Sequence, residues 1–327
     1  MGSLSIKERV VGGLVGLVVG DALGLPAQFE ERDKLKRKPI KRMEWNDFFE
    51  TPPGTWSDDS SLTLATVDAL IKKGLDLNAI AKAFMEWFKH GEYTPFGKAF
   101  DLGMTISSAV LRLIDGESPT SSGMYRASNG SLMRILPIPL YMYCSSPEEV
   151  VEWAFKASAI THTHPLALLS CGYYSLLIKA IMEGKDKEEA LKTASKQLIN
   201  IVKTRYPNML EHLKPDGELG RVTTLKILDA EENEVESSGY VVHTLEAAIW
   251  AFYRTNTFKD ALLLAVNLGD DADTVGAVCG GLAGTYYGLK AIPKEWVNTL
   301  QRRKYVLSLA EAFAEAVAER CGEGSSQ

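Results

Sequence analysis

Two acidic clusters carry the densest chemistry in this chain: Ser57-Asp58-Asp59 and Asp270-Asp271-Ala272-Asp273-Thr274, more than 200 residues apart. Carboxylates crowded this closely repel one another unless a proton or a cation neutralises them. The donors are oxygens of carboxylates and hydroxyls, which select a hard cation such as Mg2+ or Mn2+, whereas zinc would ordinarily recruit Cys or His. Each cluster also opens a helical pattern, where an Asp can serve simply as an N-cap favoured by the helix dipole. Two clusters with the same donor types make one shared site the better reading. The spacing does not match the twelve-residue calcium loop, which closes on a Glu.

The elements that must position these clusters read as helices throughout. Ser5 and Glu8 form a capping-box pattern, after which Ile6, Val10, Leu14, Leu17 and Val18 share one helical face. Gly12, Gly13, Gly16 and Gly20 weaken that helix intrinsically, so they point to close approach of a neighbouring backbone. Further helices are expected over 60–73, 78–90, 103–115, 147–160, 165–183 and 187–203, and again around Thr244, Thr257, Thr274 and Lys294. Gly276, Gly280 and Gly284 recur every four residues and read as tight packing inside a bundle. Pro137 and Pro139 interrupt the apolar run 132–142, which is therefore expected to be loop facing solvent or ligand. Residues 204–238 lose periodicity and read as a surface excursion or a lid.

No alternating segment anchors a sheet, so the expected fold is all-α, a single-domain multi-helix bundle over residues 1–320, with a disordered tail at 321–327. A net charge of −6 and a pI near 5.6 argue against nucleic acid as the main partner, and the basic run from Lys34 to Arg42 reads as a solvated loop. The apolar run Val10 to Gly20 is too short to span a bilayer and lacks a cleavage site, so no membrane or targeting segment is expected. Cys144, Cys171, Cys279 and Cys321 show no paired spacing; free thiols in a reducing cytoplasm fit them best. HExxH and GxSxG patterns are absent, which removes the usual zinc and serine hydrolases. The Ser128-Asn129-Gly130-Ser131 turn offers backbone N–H groups and hydroxyls that could cradle a pyrophosphate, or it is an ordinary Asn-Gly turn. Oligomeric state is not written in any of these patterns.

Six blocks in order resemble the ADP-ribosylglycohydrolase family: Gly20-Asp21-Ala22-Leu23-Gly24-Leu25-Pro26, Trp56-Ser57-Asp58-Asp59, Phe100-Asp101-Leu102-Gly103, Ser128-Asn129-Gly130-Ser131-Leu132-Met133-Arg134, Ile160-Thr161-His162 and Asp271-Ala272-Asp273-Thr274. The resemblance implies an all-α fold with a binuclear centre of two divalent cations, Mg2+ or Mn2+, on Ser57, Asp58, Asp59, Asp271, Asp273 and Thr274. It implies ADP-ribose or an ADP-ribosylated protein as substrate, with Ser128, Asn129, Gly130, Ser131, Met133, His162 and Gln28 lining the cleft. Asp101 is the expected catalytic carboxylate, with Asp59 as a second base, because glycoside cleavage passes through an oxocarbenium-like state that a carboxylate can stabilise. A helix N-cap is the alternative role for Asp101. Relatives acting on serine-linked ADP-ribose place a catalytic Glu where Gln28 stands, and an amide cannot act as a general base. This departure favours arginine as acceptor and leaves open a non-catalytic ADP-ribose or metal-binding protein, or a hydrolase of a small ADP-ribose or nucleoside-type glycoside.

Overall fold

The computed structural model describes residues 2–322, and its regular structure is helical, with only isolated β-bridges among the described residues. The first helix, Ile6–Gly24, carries the expected capping box: Glu8 N–H donates to Ser5 Oγ, and the Glu8 carboxylate receives the Ser5 N–H. Asp58–Lys73, Leu77–His90, Met104–Ile114, Pro147–Ala159, Pro165–Met182 and Lys187–Arg205 follow. Val241–Tyr253, Phe258–Val266, Ala272–Tyr287, Lys294–Thr299 and Arg303–Arg320 complete the bundle.

At its centre, the Ile6–Gly24 helix runs antiparallel to Ala272–Tyr287, and glycines face glycines along the seam. A Cβ added at Gly12 would meet Gly284 O at 2.5 Å, at Gly16 Gly280 O at 2.3 Å, and at Gly20 Gly276 O at 1.9 Å. The reciprocal additions at Gly276, Gly280 and Gly284 meet Gly20, Gly16 and Gly12 carbonyls at 2.4, 2.1 and 2.1 Å. Only glycine permits backbones this close, so each stripe is needed by the other. The antiparallel register sets the last turns of the first helix beside the acidic N-terminus of the other.

Two helical segments, Ile6–Ala27 and Pro165–Met182, are long and apolar enough to cross a membrane, but 94% and 89% of their apolar windows are buried inside the fold. Their apolar surface is taken up by helix–helix packing, as a core helix requires.

Four segments depart from expectation or decide between its alternatives. The run 132–142 is not an open loop: it forms a 3-10 turn, Leu132–Arg134, and a short helix, Pro137–Tyr141, both buried. Prolines in a first turn sit where the N–H groups have no intrahelical partner, so they start this helix instead of breaking it. Part of the basic run folds as the short helix Arg32–Arg37, its cations still facing solvent around the buried Leu35. The excursion 204–238 packs on the body through Leu213, Leu219, Val222, Ile227 and Val235, instead of hanging over a site. Finally, Cys321 ends the last helix and forms a disulfide with Cys144, 177 residues away, while Cys171 and Cys279 are free and buried. Cysteines so distant carry no spacing signal, and the bridge removes their support for a reducing compartment. Of the expected tail, Cys321 and Gly322 are therefore placed, and residues 323–327 lie outside the described residues.

The seam yields a stability test. Gly20→Ala forces a Cβ onto a backbone carbonyl at 1.9 Å and is expected to cost about 3 kcal/mol or more. Gly103→Ala, with nothing within 4 Å of the added carbon, is expected to stay within about 0.5 kcal/mol. Denaturant unfolding of both variants checks the contrast; equal stabilities would contradict the seam.

Candidate functional site

Both acidic clusters sit at helix N-termini, as their residue types favour. Ser57 precedes Asp58–Lys73 and Asp271 precedes Ala272–Tyr287, yet neither side chain makes an N-capping hydrogen bond. Their oxygens turn instead toward one another and toward Asp21, a fully buried carboxylate inside the otherwise apolar first helix. Asp21 receives hydrogen bonds from Ser57 N, Ser57 Oγ, Ser60 N and Ser60 Oγ at 2.8, 2.8, 3.2 and 2.6 Å. Ser57 Oγ also lies 3.2 Å from Asp59 Oδ1 and 3.4 Å from Asp273 Oδ2. A hydroxyl has one proton. With it given to Asp21, those two contacts set lone pairs against carboxylate oxygens.

Two trios of carboxylate oxygens result, Asp21–Asp59–Asp273 and Asp58–Asp101–Asp273, each with its atoms within 4.8 Å of one another. Asp59 Oδ2 and Asp273 Oδ1 are buried without any hydrogen-bond partner. Burial, first, and neighbouring carboxylates, second, push Asp58, Asp59 and Asp273 well above the usual carboxylate range. Asp21 rises to about 6, mainly through burial and against the opposing pull of its Ser60 and Ser57 hydrogen bonds. Orphaned, all-oxygen donors in a charge-repelling cluster fit a hard divalent cation. Acidic residues able to hold a metal ion are thus assembled from both halves of the chain.

Above the trios opens a cleft of about 280 Å³, lined by Gln28, Asp58, Asp59, Asp101, Ser128, Asn129, Gly130, Met133, His162, Asp271, Asp273 and Thr274. Gln28 Nε2 donates to Asp101 Oδ2 at 3.0 Å on one wall. Asp101 adopts a left-handed backbone, φ 57°, and lies ahead of the Met104–Ile114 helix, whose N-cap is Gly103, so capping is not its role. Burial raises its pKa, while the Gln28 hydrogen bond opposes the rise. Asp271 accepts from Asn129 Nδ2 at 2.7 Å, and Thr274 lines the cleft beside Asp273.

The Ser128 side of the cleft rests on a buried relay that the sequence pattern did not reveal. Arg134, 1% exposed, donates to Ala157 O at 3.1 Å and to Thr161 Oγ1 at 2.6 Å. Thr161 Oγ1 is then left to donate to His162 Nδ1 at 2.8 Å, so His162 carries its proton on Nε2 and donates to Ser128 Oγ at 2.8 Å. Burial, and then the Arg134 charge, hold the His162 pKa down near 3, so the ring stays neutral. Ser128 is left with its own O–H free to donate into the cleft. Gly130 is required beside this ring, since a Cβ there would meet His162 Cε1 at 2.7 Å.

Of the expected site residues, Ser57 and Ser131 do not line the cleft. Ser57 is spent on Asp21. Ser131 Oγ is buried against Ser158 Oγ at 2.7 Å and Cys171 Sγ at 3.4 Å, supporting the turn from beneath. The other expected residues come together around the cleft. Asp21, which joins one of the trios, was not among the expected donors; its signal was a carboxylate standing alone in an apolar, glycine-rich helix, which is costly without a partner.

The family model for ADP-ribosylglycohydrolase matches residues 3–323. ADP-ribosylarginine hydrolase Tri1 of Serratia proteamaculans is 32% identical over 93% of this chain and 78% of its own length. The ADP-ribosyl-[dinitrogen reductase] glycohydrolase of Rhodospirillum rubrum is 28% identical over 91% of this chain and 92% of its own. Among solved structures, an ADP-ribosylglycohydrolase-related protein complex superposes with a TM-score of 0.78 at 32% identity, covering 95% of this chain and 99% of that one. The chain belongs to the ADP-ribosylglycohydrolase family. It is accordingly a hydrolase of glycosidic bonds to ADP-ribose.

Because Asp273 belongs to both trios, Asp273→Asn is expected to abolish the rise in melting temperature on adding Mn2+ while leaving the metal-free protein at least as stable as wild type. The sign follows from repulsion: removing a buried charge relieves its neighbours. A metal-free variant clearly less stable than wild type would contradict the geometry. The pH dependence follows likewise. A carboxyl whose folded pKa is raised holds extra protons in the fold, so metal-free stability falls as pH rises from about 4, the unfolded value, to about 6, the Asp21 value. Cations bind the ionised form, so the Mn2+-induced gain is expected to be larger at pH 7.5 than at pH 5.

Proposed function

We propose that this chain removes ADP-ribose from arginine side chains of modified proteins, using two divalent cations, Mg2+ or Mn2+. The single observation that carries the proposal is the pair of carboxylate trios joined at Asp273 beneath a polar cleft. Asp58, Asp59 and Asp273, with Asp21, Asp271 and Thr274 beside them, would hold the cations, and Asp271 also accepts a hydrogen bond from Asn129. Bound there, such cations supply Lewis acidity toward sugar hydroxyls and lower the pKa of water.

The chain's own groups then divide the work. The Ser128–Gly130 turn, with Ser128 Oγ aimed by His162, donates hydrogen bonds to the diphosphate. Asp101, oriented by Gln28 Nε2, takes a proton from the water that attacks the anomeric carbon. The C–N bond to the acceptor breaks, and the guanidine leaves as the protonated cation. A carboxyl placed between the water and the leaving group can carry the proton from one to the other. Arginine as acceptor is supported by the Tri1 relative, named as an ADP-ribosylarginine hydrolase, and by Gln28, an amide where serine-directed relatives need a Glu base.

The test is to incubate the purified protein with arginine-linked and serine-linked ADP-ribosyl peptides, with Mg2+, Mn2+ or EDTA. Release from the arginine peptide is expected, abolished by EDTA, and Asp101→Asn is expected to lower kcat by about 100-fold or more. Release from serine alone, or release indifferent to EDTA, would contradict the reading.

A further inference from the structure

Beside the cleft lies a second depression, about 400 Å³, lined among others by Gln28, Phe29, Glu44, Trp45, Asp47 and Phe48. Gln28 and Phe29 border both hollows. We propose that this depression is the acceptor subsite, where the guanidinium of the modified arginine and the residues flanking it are held. This deepens the arginine reading above and rests on it.

Position is the first argument. Gln28, hydrogen-bonded to Asp101 in the cleft, and Phe29 beside it also line the second depression. A ribose over the acidic floor whose anomeric carbon faces Asp101 therefore has its substituent at Gln28, where the two hollows meet.

The chemistry of the lining is the second. Phe29, Trp45 and Phe48 are 65%, 53% and 76% exposed, so their rings are not spent on the core. Phe29 is held at φ 65°, a left-handed backbone that a bulky residue rarely adopts. Backbone hydrogen bonds clamp it there, Phe29 N to Asp270 O at 2.6 Å and Asp270 N to Glu30 O at 2.9 Å. Strain of this kind persists where the surroundings enforce it and gathers at ligand sites. A guanidinium is planar, weakly hydrated and attracted to aromatic faces. Charge agrees: Glu44 and Asp47 enter no ion pair among the described residues, whereas Lys34 on the same rim is taken up by Glu30 at 2.7 Å. Lys38 also lines the rim.

Gln28 supplies the third argument. Its Nε2 must face the Asp101 carboxylate, so its Oε1 faces away, and that oxygen is buried with no donor. Orphaned buried acceptors are rare and call for a partner. An arginine-linked glycoside brings N–H groups beside the scissile bond. A serine-linked glycoside brings an ether oxygen, which has no proton to give.

The test uses the metal-loaded full chain and two substrates, free ADP-ribosyl-arginine and an ADP-ribosyl-arginine peptide, with calorimetric binding of ADP-ribose as a readout apart from turnover. For the double variant Trp45→Ala/Phe48→Ala, KM is expected to rise about tenfold for the peptide and for free ADP-ribosyl-arginine alike, with kcat and ADP-ribose affinity unchanged. Gln28→Met is expected to lower the arginine-over-serine preference at least tenfold. An active wild type with peptide KM unmoved in the double variant overturns the subsite alone. Loss of ADP-ribose affinity in that variant also overturns it, assigning the aromatics to the adenine base. A wild type that spares arginine but cleaves serine overturns the arginine reading and the subsite together.

Discussion

Mutual repulsion among buried carboxylates is the constraint on which the rest of this structure turns. Asp21, Asp58, Asp59 and Asp273 are almost wholly buried, and Asp101 and Asp271 stand at their edge. Serine hydroxyls and backbone N–H groups satisfy Asp21, but Asp59 and Asp273 each retain an oxygen with no donor. Protonation can relieve such a cluster, and raised pKa values express that tendency. A divalent cation relieves it while keeping the charges, and that converts an electrostatic liability into a binding site.

Holding the carboxylates together against their repulsion requires a rigid frame. The glycine seam supplies it by bringing two long helices to backbone contact in one register, which fixes Asp21 and Asp273 relative to each other. The Asp58–Lys73 helix is tied to the same frame through Ser57 and Ser60, both bonded to Asp21. The cleft walls are pinned separately, one by the Gln28–Asp101 pair and one by the chain from Arg134 through Thr161 and His162 to Ser128. Floor and walls are joined at two points, through Asp101, which belongs to a carboxylate trio, and through Asn129, which donates to Asp271.

Much of this was legible in the residue pattern. Helical periodicity and capping residues placed most long helices within a residue or two of their ends, and the two acidic clusters announced a shared site. The two glycine stripes were legible as close-packed, but their pairing was not, because a stripe says that something approaches without saying what. Asp21 escaped the donor set because a single carboxylate has no spacing to read. Pro137 and Pro139 misled because proline reads as an interruption until its place in the first helical turn is known. The Cys144–Cys321 bridge was invisible for the same reason as the relay under Ser128: both join residues whose proximity only the packed fold creates.

The central claim is that the carboxylates share cations through Asp273. Crystals grown with Mn2+ and ADP-ribose, measured at the manganese absorption edge, test it most directly. Two anomalous peaks are expected, both within coordination distance of Asp273, with the ribose beside them. Peaks away from Asp273, or none, would contradict the account.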